Sequence, residues 1–157
     1  MRPLVPLLLI IGVWLLMTKS TGNASLPRGI RNHNPMNIRE NHQSDFDWVG
    51  EHEKDLDKDF EEFSSPEYGI RAGVRILNTY QTKYGLNTIE GIINRWAPPN
   101  ENDTESYINS VAHGLGISAD APISTALIPE LVKAIIYHEN GLQPYSDETI
   151  YAGVALA

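Results

Sequence analysis

From residue 64 onward the apolar positions recur at helical spacing. Ile70, Val74, Leu77 and Tyr80 fall on one face and predict a helix that runs to Gly85. Ser64 followed by Glu67 has the pattern of a capping box, and Pro66 suits a first turn. A shorter helix is predicted over Ile89–Trp96, capped by Asn87 or Thr88; Pro98-Pro99 stops it because proline has no backbone N–H to donate. Asp103 or Thr104 opens another, carrying Tyr107, Ile108 and Val111 to a break at Gly114 or Gly116. The next runs from about Ile128 through Leu131, Val132, Ile135 and Ile136 to His138-Glu139, with Asn140-Gly141 as its stop. A last helix begins at Ser146. Upstream, Phe46–Val49 and Asp59–Phe63 predict two short strands around a polar turn. The expected class is therefore α+β, a mostly helical domain with a small β-lobe.

The first residues follow a different pattern. Pro3 to Thr18 is a run of sixteen residues without charge, between Arg2 and Lys19. A bilayer's hydrocarbon takes about 20 apolar residues, with a lower limit of about 17, so the run suits either a signal peptide or an apolar anchoring helix. Gly22-Asn23-Ala24 offers small residues for a cut after Ala24, whereas Trp14 and Lys19 suit an interfacial anchor. The expected division is 1–24 as signal peptide or membrane anchor and 25–157 as one domain. The chain is then expected to be membrane-anchored or exported, working outside the cytoplasm or on a membrane-bearing particle, with any membrane contact made through residues 3–18.

Charge narrows the choice of partners. Twelve Lys and Arg against twenty Asp and Glu give a net charge of −8, which disfavours a grip on nucleic-acid phosphates. Ten of the acids lie between Glu40 and Glu62, answered only by Lys54 and Lys58, and read as a solvated hairpin or loop. The absence of cysteine rules out disulfides, thiolate nucleophiles and Cys-ligated zinc.

The chain also has no Gly-x-Ser-x-Gly elbow, no phosphate loop and no His-Glu-x-x-His. Its five histidines show no metal-ligand spacing; His33, His42 and His52 converging on zinc is the weaker alternative, and no metal is expected. Carboxylates remain as the candidates for acid–base chemistry. Glu139 ends an apolar helix just before a glycine-marked turn, where the helix dipole and apolar neighbours both disfavour a charged carboxyl. A carboxyl kept protonated near neutral pH is what a general acid in glycoside cleavage needs. The bland reading is an exposed Glu in a fraying last turn.

Arg28 to Arg39 packs three Asn, one His and three Arg into twelve residues broken by Gly and Pro. Such a turn-rich segment presents hydrogen-bond groups suited to sugar hydroxyls and N-acetyl amides, or caps its own backbone. Trp96 and Tyr107 offer faces for a sugar ring, though aromatics at such positions are more often core.

Four segments in one order, RGIRNHNPMNIR (28–39), SSPEYGIRAG (64–73), IINRWAPPNENDT (92–104) and AIIYHENG (134–141), resemble a family of phage and prophage virion-associated proteins of lysozyme-like, peptidoglycan-degrading type. The resemblance implies a lysozyme-like domain that cleaves the MurNAc–GlcNAc bond as a lytic transglycosylase or muramidase. Glu139 would be general acid and base, bacterial peptidoglycan the partner, and no cofactor is implied. Asn32, Asn34, Asn37, Tyr68, Arg71, Trp96 and Asn100 would line the glycan groove, with a second carboxylate from Asp45, Asp47, Glu51 or Glu67. In the wider class the Asn-rich turn follows the Glu-x-Gly element; here it precedes Glu139-Asn140-Gly141, so a circularly permuted order is expected, with Glu139 packed beside the turn. The family's wording also has glycine where Met36 stands, which predicts strain there if that position is left-handed. The rivals are a non-enzymatic virion or membrane protein that binds cell-wall glycan, and a metallopeptidase cutting the peptide stems.

Overall fold

The computed structural model describes residues 26–41, 47–54 and 56–157. Six α-helices are present among them: α1 (Arg28–Arg31), α2 (Pro66–Tyr84), α3 (Ile89–Trp96), α4 (Thr104–Leu115), α5 (Ile128–Asn140) and α6 (Asp147–Ala155). A 3₁₀ turn at Thr125–Leu127 leads into α5. The apolar helix and the cleavage point expected before residue 25 lie outside the described residues. Among the described residues no helix is long and apolar enough to cross a membrane.

Helix boundaries follow the local chemistry. Thr88 Oγ1 accepts the Gly91 N–H at 3.1 Å, Asp103 accepts from Ser106 N at 3.1 Å, and Ser146 Oγ accepts from Thr149 N at 3.3 Å. Gly85, Gly116 and Gly141 close α2, α4 and α5 in the left-handed conformation. The capping box at Ser64 does not form. Ser65 is the N-cap of α2 instead, and it hydrogen-bonds the Glu67 carboxyl, which holds that group below its ordinary range.

The apolar stripes meet in one core. Ile70 and Leu77 of α2, Ile92 of α3, Val111 of α4, Ile135 of α5 and Ile150 of α6 are all fully buried. Each such side chain contributes about 1.5–3 kcal/mol by leaving water. Alone, α3 is too short to be stable, and its buried Ile89, Ile92 and Ile93 hold it in place.

The α+β expectation is overturned. Among the described residues there are no strands, only isolated bridges, Arg39 with Phe60, Glu51 with Phe63 and Thr88 with Pro122, so the domain is helical. The reason lies in how segment 59–63 divides its backbone bonds. Asp59 O and Glu61 N pair with Glu40 N and Ile38 O, while Glu62 O accepts from His52 N, so neither pairing lengthens into a ladder. Carboxylates take further amides of the same region: Trp48 N donates to Glu51, Leu56 N and Asp57 N to Glu62, and Phe60 N to Asp57. Several of the acids expected to be merely solvated thus fold the loop, and Glu61 is 3% exposed.

The Asn-rich turn lies directly on α2. Gly69 and Gly73 are four residues apart and share a helix face. A Cβ at Gly69 would overlap the His33 carbonyl, and one at Gly73 the Met36 thioether. Met36 is fully buried there, and the strain expected at it is absent. The left-handed residues are its neighbours His33 (φ 51°) and Asn37 (φ 50°), and asparagine tolerates that conformation better than most residues.

Candidate functional site

Glu139 continues the buried stripe of α5, four residues after Ile135 and three after Ile136, so its side chain turns inward and not into a frayed end. Three donors converge on it. Tyr107 Oη donates to Oε1 at 2.7 Å, Trp96 Nε1 to Oε1 at 3.2 Å, and Asn37 Nδ2 to Oε2 at 3.0 Å. They come from α4, the end of α3 and the Asn-rich turn, so three separate segments are tied to the one carboxyl.

Each donor has its own support. Tyr107 is 3% exposed, and its hydroxyl is pushed far above its ordinary range, first by burial and then by the Glu139 charge, so it remains a donor. His138 stacks on the Tyr107 ring at 3.6 Å, and burial lowers the imidazole's pKa. Trp96 meets Tyr80 edge-on at 6.4 Å. Behind Asn37 lies Gly29 of α1, where a Cβ would overlap the side-chain oxygens of both Asn37 and Asn140. Asn140 Nδ2 in turn donates to Pro35 O at 2.7 Å and so fastens the end of α5 to the turn.

Glu139 opens into a cleft of about 390 Å³, within the range of ligand sites. Asn37, Arg39, Phe60, Tyr80, Trp96 and Glu101 are among the residues that line it, with Ile38, Ile76, Ala97, Pro98 and Asn102 completing the walls. Aromatic faces, amides and two carboxylates share one cavity, a combination suited to a polar ligand with apolar faces such as a sugar.

The residues singled out from the sequence divide into two groups. Asn37, Trp96 and Glu139 meet in the cleft. Asn34 is fully buried, donating to Ile38 O and Glu61 O and accepting from Ile38 N, so it builds the turn. Asn32 donates to Asp57 at 2.6 Å, beside the ion pairs that Arg28 makes with Asp57 and Asp59. The Arg28 guanidinium holds the Asp57 carboxyl well below the usual range. Tyr68 packs on the cluster of Ile38, Phe63 and Ala72 with its ring against Gly50, Arg71 donates to Leu156 O at 3.1 Å, and Asn100 is exposed outside the cleft lining.

Of the suggested second carboxylates, Asp47, Glu51 and Glu67 do not line the cleft, and Asp45 lies outside the described residues. Glu101 does line it. Glu101, Phe60 and Tyr80 are not among the residues expected at the site, and Arg39 enters it only as part of the 28–39 segment; the signal for Glu101 is its position in the polar run after Pro98-Pro99, inside the segment that carries Trp96. Of the histidines, His33 Nδ1 meets Phe63 O, His52 Nδ1 accepts from Lys54 N, His138 stacks on Tyr107, and His42 lies outside the described residues.

The sequence matches no protein-family model. It is 53% identical over 126 residues to Protein P5 of Pseudoalteromonas phage PM2, a stretch covering 80% of this chain and 79% of the relative. The phage affiliation implied by the four motifs therefore stands, and the chain belongs to the family of this phage protein.

Proposed function

We propose that the chain is a phage protein that engages the glycan strands of bacterial peptidoglycan in the Glu139 cleft and cuts them there. The observation that carries this reading is the meeting of Glu139 with Asn37, Trp96 and Tyr107 at the wall of an aromatic-lined cleft. Glu139 would give a proton to the oxygen bridging N-acetylmuramic acid and N-acetylglucosamine. The C1–O bond then breaks with its electron pair on the departing oxygen, leaving an oxocarbenium-like sugar. The Glu139 carboxylate next takes the proton of the attacking hydroxyl, whose oxygen forms the new bond to C1. Water attacks in a muramidase, and the sugar's own 6-hydroxyl attacks in a lytic transglycosylase. Trp96, Tyr107 and Asn37 hold the carboxyl in one orientation through both steps, which limits the reorganisation the reaction requires. Glu101, the other carboxylate in the lining, is available to orient that water.

A second reading is a virion or membrane protein that binds cell-wall glycan without cutting it. Kinship with a phage protein supports that role better than it supports cleavage, and the three donors on Glu139 also describe a carboxylate with a purely structural duty. Incubation of the purified chain with murein, followed by mass spectrometry of the soluble products, separates the readings. Reducing ends indicate hydrolysis, 1,6-anhydro ends indicate transglycosylation, and tight binding with neither indicates the non-enzymatic role.

A further inference from the structure

The cleft is lined by two carboxylates, Glu139 and Glu101, in a chain of net charge −8. Among the described residues that line it, Arg39 is the one cation. Arg28, over the same Phe60 ring, is neutralised by Asp57 and Asp59, and Lys133 on α5 by Glu130 and Asp147. Arg39 makes no ion pair with any described carboxylate, although the acid-rich segment runs beside it. Its guanidinium stands over the Phe60 ring at 5.6 Å, and its backbone is bridged to Phe60. An exposed cation held on an aromatic ring, two residues beyond the asparagine that touches Glu139, is positioned for an anionic group on whatever occupies the cleft.

We propose that Arg39 is a carboxylate subsite, so that the cleft selects glycans bearing carboxylates over neutral N-acetylated glycans of the same length. This rests on the glycan reading of the cleft given above. In peptidoglycan the carboxylate has two sources. The lactyl group of N-acetylmuramic acid carries one where the peptide has been removed, and the peptide stem carries its own where it has not. Arginine suits either, because its planar fork can pair both oxygens of a carboxylate.

The test compares three tetrasaccharides by calorimetry: an N-acetylglucosamine tetramer, a murein tetramer stripped of peptides, and one that keeps its stems. At low salt at least one murein ligand should bind about tenfold tighter than the neutral tetramer, the size of a charge-assisted pair. Arg39→Gln should bring the ratio close to one, Arg39→Lys should retain part of it, and added salt should shrink it in the parent chain. A tighter stripped ligand assigns the lactyl carboxylate and a tighter stemmed one assigns the peptide. Equal binding of all three, or a preference that survives in Arg39→Gln, would overturn the subsite while leaving the glycan reading in place. No binding of any tetramer would remove both.

Discussion

Asn37 donates to Glu139 twice, to the side-chain Oε2 at 3.0 Å and to the backbone carbonyl at 3.3 Å, across 102 positions of sequence. The left-handed backbone at Asn37 aims the amide, and the missing side chain at Gly29 leaves room for it. Asn37→Ala should leave a folded chain and lower murein cleavage about 100- to 1,000-fold, comparable to losing one aligned donor in an active site. Circular dichroism and a product-release assay on the same preparation check both halves of that expectation.

Gly29→Ala tests the support without touching the donor. The added methyl meets Asn37 Oδ1, Asn140 Oδ1 and the Asn34 carbonyl, so the turn must move away from α5. Overpacking of this kind costs about 1–3 kcal/mol, and the displaced Asn37 should reduce cleavage as well. A variant with unchanged melting temperature and unchanged activity would mean the contact at Gly29 is not constraining.

Tyr107→Phe removes one hydroxyl from Glu139 and keeps the ring packed on His138. A loss of about 1 kcal/mol in stability is expected from the missing hydrogen bond, with a larger proportional loss in cleavage because Glu139 is held by one donor fewer. Urea denaturation and initial-rate measurements would show the two effects separately.

Glu61 makes a pH prediction with a definite sign. Burial, and after it the neighbouring Glu40 and Glu51 charges, push its carboxyl up to about 7, against 4.5 in the unfolded chain. The folded state therefore holds a proton that the unfolded state has lost. This contribution to stability is complete below about pH 4.5 and is lost as pH rises through about 7. Glu61→Gln should flatten that slope and raise the melting temperature at pH 8 by a few degrees, on the order of 1 kcal/mol. Thermal melts of both chains at pH 5 and pH 8 provide the comparison.

The helices were legible in the sequence because their signals are local. A threonine at position 88, an aspartate at 103 and glycines at 85 and 141 act within a turn of where they stand. The β-lobe was misread because alternation in Asp59–Phe63 could not show that its backbone serves two partners in turn. The same limit applies to the site residues. Asn34 and Asn37 carry identical side chains three positions apart, yet one turns back to close its own loop and the other reaches α5. Arg71, expected along the groove from the resemblance, is tied instead to Leu156 O, a partner 85 positions away. Glycine spacing at 69 and 73 was visible, but its purpose, admitting the Asn-rich turn, appears only when the two segments are packed together.

In the proposed reaction Glu139 transfers a proton during glycan cleavage. Glu139→Gln keeps the shape and the ability to accept from Trp96 and Tyr107 but has no carboxylic proton to give. The decisive measurement is release of soluble fragments from purified murein by the parent chain and by this variant, each verified as folded by its thermal melt. Fragment release by the parent, falling to background in the glutamine variant, is the predicted result; equal release by both, or none by the parent, would contradict it.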